Sequence, residues 1–136
     1  MRVMDIMTSR PLTLRPSDTV RQAEEIMDEQ KIRQLPVVNG TELLGIITDR
    51  DIRSFLGGHL LSAPEERENA MNTEVGSVMT TKPITLEPDD GIEEAVELMI
   101  EEKVGGIPVV DEEEGLVGIL THVDILRCFL ERLKGD

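Results

Sequence analysis

The chain has 136 residues, room for one ordinary domain or two very small ones, and 28 Asp and Glu against 14 Lys and Arg give it a formal net charge of -14. That charge, with only Phe55 and Phe129 as aromatic residues, speaks against DNA, RNA and anionic membranes as partners. Its one cysteine, Cys128, excludes an internal disulfide; no apolar run nears the ~18 residues of a membrane span, and Asp5 interrupts any signal-peptide core, so a cytoplasmic location is expected.

Pro11 to Leu14 reads as a short extended segment, and Pro16-Ser17-Asp18 as a turn. Thr19 and Gln22 have the spacing of a capping box, and Val20, Ala23, Ile26, Met27 and Gln30 follow at helical spacing. Strands are expected over Leu35 to Val38 and Leu43 to Ile47, joined by a hairpin turn at Asn39-Gly40. Their apolar residues alternate little, which predicts cover on both faces, by the unit's own helices on one and by a sister unit on the other. A helix starts after Thr48 and ends at Gly57-Gly58, and Ser62-Ala63-Pro64-Glu65-Glu66 predicts a short helix with Pro64 in its first turn.

The chain then repeats itself. Residues 3–38 lie over residues 75–110 without a gap, so that Met7, Thr8, Pro11, Asp18, Met27, Pro36 and Val37 recur as Met79, Thr80, Pro83, Asp90, Met99, Pro108 and Val109. One extra residue enters the turn at Asp111 to Gly115, and Gly45, Ile46, Thr48 and Asp51 recur as Gly118, Ile119, Thr121 and Asp124. The second helix carries Ile92, Ala95, Val96, Met99 and Lys103 on its stripe, with Asp90 and Glu93 at capping-box spacing. The fold class is therefore α+β, with the order β-α-β-β-α occurring twice: one copy over 1–58, a linker with a short helix over 59–74, and a second copy over 75–136.

Three ordered segments carry a resemblance to a known family. They are Val3-Met4-Asp5-Ile6-Met7-Thr8 with Pro11, Leu35-Pro36-Val37-Val38, and Gly45-Ile46-Ile47-Thr48-Asp49-Arg50-Asp51; their second copies begin at Val75, Gly106 and Gly118. The pattern resembles the CBS (cystathionine β-synthase type) domain, and the whole chain resembles a tandem CBS pair, or Bateman module. The resemblance implies two units paired about a pseudo-twofold axis, with clefts for an adenosine-containing ligand such as AMP, ADP, ATP or S-adenosylmethionine. It further implies a homodimer, regulation of a separate effector protein, and no catalysis by the chain itself.

Thr48 and Asp51, like Thr121 and Asp124, sit where a strand turns into a helix. Free N–H groups and partial positive charge there suit a phosphate, and the carboxylate can accept from ribose hydroxyls. In the family this Asp holds the ribose and this Thr faces the phosphate. The same Thr-x-x-Asp is also a capping-box variant that only stabilises a helix. Arg33 matches a family position that often points at phosphate, and Arg50 one that in some relatives reaches the phosphate of the opposite cleft, whereas their counterparts Gly105 and Val123 carry no charge, so the two sites are unequal; surface arginines are also commonly just solvated. Gly105 and Gly106, ahead of Ile107, would let backbone approach the purine closely. The purine is expected against Ile6 to Pro11 or Val78 to Pro83, which brings in Met7, Pro11, Met79, Thr80 and Pro83. Met7, Met27, Met79 and Met99 also read as core fillers.

His59, His122 and Cys128 lack ligand spacing, so no metal site is expected, and Glu112-Glu113-Glu114 reads as a solvated turn. No nucleophile has an adjacent base, and no Walker-type loop is present. With few cations available, AMP or ADP is favoured over ATP unless Mg²⁺ accompanies it. A ligand-free dimerisation scaffold, or a module for S-adenosylmethionine or a divalent ion, are the competing expectations.

Overall fold

A computed structural model describes residues 1–58 and 62–135 of the chain. In chain order the elements are α1 (Val3–Ile6), β1 (Thr8–Ser9), α2 (Val20–Gln30), β2 (Gln34–Asn39), β3 (Glu42–Thr48), α3 (Asp49–Gly57), α4 (Pro64–Met71), a 3₁₀ turn (Val75–Ser77), β4 (Thr80–Thr81), α5 (Ile92–Glu102), β5 (Gly106–Asp111), β6 (Gly115–Thr121) and α6 (His122–Gly135). They form two compact units: Leu12–Lys82, and Met1–Pro11 with Pro83–Asp136.

In the Leu12–Lys82 unit, α2 begins as its sequence predicts. The Gln22 N–H donates to Thr19 Oγ1 at 3.2 Å, and the Thr19 N–H donates to Gln22 Oε1 at 2.8 Å. The helix ends at Lys31, which is left-handed (φ 57°), and the Ile32 N–H returns to the Met27 carbonyl at 3.1 Å. Val20, Ala23 and Met27 face the core, while Gln30, placed on the same stripe by spacing, is exposed. The sheet order is β2-β3-β4, all antiparallel, and the β2–β3 turn uses Gly40 at φ 63°. Leu35 to Val38 and Gly45 to Ile47 are buried without alternation, as the apolar runs predicted. Val20, Leu35, Ile47 and Val75 are fully buried, and each contributes about 1.5–3 kcal/mol by leaving water. The linker helix α4 starts with Pro64 at its first position and packs on both α2 and α3, with Ala70 buried and an ion pair from Arg21 to Glu68.

The other unit repeats this plan. Its sheet order is β1-β6-β5, and its core gathers Val3, Leu86, Ala95, Ile107, Val109 and Leu120 around Met99. Helix α5 ends at Lys103, left-handed at φ 55°.

Three expectations change. Pro11 to Leu14 and Pro83 to Leu86 are not strands: Leu14 and Leu86 each make a single parallel bridge, to Val37 and Val109, and the short strands are the earlier β1 and β4. Asp90 and Glu93 form no capping box. The N-cap of α5 is Gly91, which has no side chain to offer, and Asp90 instead accepts the Glu87 N–H at 2.8 Å, as Asp18 accepts that of Arg15 at 2.7 Å. Finally, the division at residues 58 and 75 marks the repeats but not the compact units, because each unit takes its leading segment from the other repeat. The Val75 N–H donates to the Asp18 carbonyl at 2.7 Å, and the Val3 N–H to that of Asp90 at 2.8 Å. The reason lies in the sheet. Leu14 lies against β2, and β2 separates it from β3, so the stretch just before Leu14 would have to cross the sheet to pair with β3 of its own repeat.

Candidate ligand site

The strand-to-helix turns are built alike in the two units. In the Leu12–Lys82 unit, Thr48 ends β3 and caps α3. The Asp51 N–H donates to Thr48 Oγ1 at 3.1 Å, and Asp51 Oδ2 accepts the Thr48 N–H at 2.9 Å. The Asp49 N–H donates to the Arg33 carbonyl at 2.9 Å, which ties the start of β2 to the same turn. The capping-box reading of Thr-x-x-Asp is therefore realised, and it does not consume the aspartate. Asp51 is half-buried, and among the described residues its Oδ1 has no partner.

β4 brings Met79 and Thr80 against β3, with Thr80 opposite Ile46. Gly45 permits this approach: a Cβ there would lie 2.6 Å from the Thr80 carbonyl oxygen and 2.7 Å from Met79 Sδ. Arg33 reaches Asp49 (3.8 Å), which also pairs with Arg53 at 3.5 Å. Both arginines line an open groove of about 500 Å³ with Lys31, Glu24, Asp28 and Asp49 over Met27 and Ile52. Arg50 is exposed and makes no ion pair among the described residues.

The second unit holds Thr121, Asp124, Met7, Pro11, Pro83, Gly105, Gly106 and Ile107. Here the aspartate is closed in. Asp124 is 7% exposed; its Oδ2 accepts the Thr121 N–H at 2.9 Å, and its Oδ1 accepts the Thr8 hydroxyl at 3.0 Å, with Arg127 at 3.7 Å. Gly118 plays the part of Gly45, since a Cβ there would meet Met7 Sδ at 2.6 Å and the Thr8 carbonyl oxygen at 2.9 Å. Gly105 and Gly106 are half-buried, and the Gly105 carbonyl accepts the His122 N–H at 3.0 Å; Ile107 is core.

Met27 and Met99 are buried in the cores, and Met7 and Met79 pack on their edges, as fillers should. No group of three metal-ligating side chains occurs among the described residues, and His59 lies outside them. No helix of the described residues is long and apolar enough to cross a membrane. Thr8, the repeat partner of Thr80, falls within the stretch expected against the purine, but nothing in sequence signals its bond to Asp124. Arg53 gave no signal at all, because nothing in sequence ties it to Arg33 across the unit.

A family model for the CBS domain matches residues 3–58 and 75–131. The chain belongs to the CBS-domain family. It is 37% identical over 141 residues to protein MJ1225 of Methanocaldococcus jannaschii, covering 97% of this chain but only half the length of that relative. Among solved structures, CBSX2 (a CBS-pair protein of Arabidopsis thaliana) in complex with AMP superposes with a TM-score of 0.81 at 31% identity, over 96% of both chains. The CBS domain pair of protein MJ0100, in complex with 5'-methylthioadenosine and S-adenosyl-L-methionine, does so with a TM-score of 0.81 at 28% identity, over 97% of this chain and 98% of that one. The chain is thus a tandem CBS pair with the α+β architecture of that family.

Proposed function

We propose that this CBS pair is a regulatory sensor of an adenine nucleotide, without catalysis of its own, which acts on a separate effector protein. The observation that carries the reading is Asp51: half-buried, oriented by the Thr48 cap, and left with one carboxylate oxygen to accept from a ribose hydroxyl. In the same turn Arg50, without an ion pair among the described residues, offers a guanidinium for phosphate, and Met79 and Thr80 lie against β3, where backbone edges can meet a purine. AMP bound to a relative of 31% identity supports an adenine nucleotide, and the single arginine of that turn, in a chain of net charge -14, favours AMP or ADP over ATP. The mechanism is a population shift: bound ligand favours one arrangement of the pair, which the effector reads.

A thermal-shift panel of AMP, ADP, ATP with Mg²⁺ and S-adenosylmethionine tests this. A ligand at 100 times its dissociation constant stabilises by about 2.7 kcal/mol. Asp51→Asn keeps a capping oxygen and removes the charge, and is expected to weaken AMP binding by about 1.5–3 kcal/mol in calorimetric titration. Full AMP affinity in that variant would dismiss the site. A second reading is S-adenosylmethionine or 5'-methylthioadenosine, favoured by the ligands of the MJ0100 pair; a shift with these alone would select it. No shift with any of the four, in a folded chain, would leave the ligand-free scaffold.

A further inference from the structure

The short strands beside the two Thr-x-x-Asp turns are placed alike. Thr8 of β1 lies opposite Ile119 and Thr80 of β4 opposite Ile46, and the methionine before each threonine lies over a glycine of the neighbouring strand, Gly118 or Gly45. The turns match as well, since Asp124 Oδ2 and Asp51 Oδ2 each accept the N–H of the capping threonine at 2.9 Å. The difference lies in the remaining oxygen. Asp124 Oδ1 accepts the Thr8 hydroxyl at 3.0 Å, and Arg127, one helical turn on, stands 3.7 Å from the same atom. Among the described residues Asp51 Oδ1 has neither partner: Thr80 makes no bond to it, and Ser54 stands where Arg127 does in the other repeat.

The donor on Asp124 is of the kind a ligand would bring. A threonine hydroxyl at hydrogen-bond distance from a carboxylate oxygen makes the alcohol-to-carboxylate bond that a ribose hydroxyl would make there. A ligand that displaces Thr8 exchanges one such bond for another and gains little by it. Arg127 adds its charge to the same oxygen, and the Asp124 side chain keeps only 6% of its surface exposed. We infer, from the reading of Asp51 as a ribose acceptor, that Thr8 with Arg127 is a built-in occupant of the equivalent position in the second repeat. Each chain then takes one adenine nucleotide, at Asp51, and holds its second acceptor closed. Opened by the loss of both partners, that second acceptor suits an uncharged adenosine rather than a nucleotide, because Gly105 and Val123 supply no cation for a phosphate.

Equilibrium dialysis of the full chain against AMP is expected to give one equivalent bound, and adenosine added to the saturated protein is expected to add none. Thr8→Val removes the hydroxyl and keeps the shape at an exposed strand position, and Arg127→Ser gives the second repeat the residue of the first. In that double variant adenosine is expected to add a second equivalent, whereas Thr8→Ser, which keeps the hydroxyl, stays at one. A second equivalent bound by the parent or by Thr8→Ser, or none gained by a folded double variant, would overturn the inference. A parent that binds no AMP would instead remove the reading of Asp51. Adenosine bound by the double variant and not by the parent would then still support a closed second acceptor, and no adenosine bound by either would overturn it. Should the double variant fail to fold, the parent decides: a single equivalent weakened by Asp51→Asn supports the inference, and two equivalents, or one that Asp51→Asn leaves unchanged, overturn it.

Discussion

Thr8 and Thr80 occupy the same place in the two repeats, yet only Thr8 donates to the aspartate of its unit. Arg127 adds a charge at 3.7 Å from Asp124, where its counterpart Ser54 has none to give. One aspartate is thereby closed into the structure and the other is left open. Thr8→Ala removes a side-chain bond to a buried carboxylate and is expected to lower stability by about 1 kcal/mol. Thr80→Ala makes no comparable loss and is expected to stay within about 0.5 kcal/mol of the parent. Guanidinium unfolding with an unchanged m-value reads both. Thr48-x-x-Asp51 and Thr121-x-x-Asp124 were plain in the sequence as candidates; their different availability was not, because it depends on a residue more than a hundred positions away.

The helices show how far local chemistry reaches. Thr19 with Gln22 announces the start of α2, and the structure forms that box. The corresponding start of α5 is Gly91, so its first turn relies on backbone alone: the Ile92 N–H donates to the Met1 carbonyl at 3.2 Å. Gly91→Ser supplies the missing hydroxyl at an open position of ordinary φ, and is expected to raise stability by a few tenths of a kcal/mol. Thr19→Ala is expected to cost about 1 kcal/mol. Differential melting of the two variants checks the contrast. The helix ends were less legible. Both stop at a left-handed lysine, Lys31 or Lys103, where glycine is the usual signal, and each is held there by the bond that returns to Met27 or Met99.

At the scale of the whole molecule, the exchange of leading segments decides what can fold by itself. A fragment of residues 1–58 contains one complete repeat but lacks β4 and the fully buried Val75, both parts of the unit built around β2 and β3. Residues 12–82 contain that unit entire. Circular dichroism and urea titration are expected to find a cooperative transition in the 12–82 fragment and none in the 1–58 fragment; a folded 1–58 fragment would contradict the exchange. The amino-acid sequence by itself determined the duplication, the family, the two amphipathic helices, the β2–β3 and β5–β6 hairpins and the Thr-x-x-Asp turns. Each of these rests on residues within a few positions of one another, or on the likeness of one copy to the other. Only the tertiary structure decided which repeat each short strand joins, that Asp124 is sealed while Asp51 is open, and that α4 packs on α2 and α3. Those outcomes depend on which distant backbone edge or side chain is within reach, and a repeated sequence offers the same local choices twice.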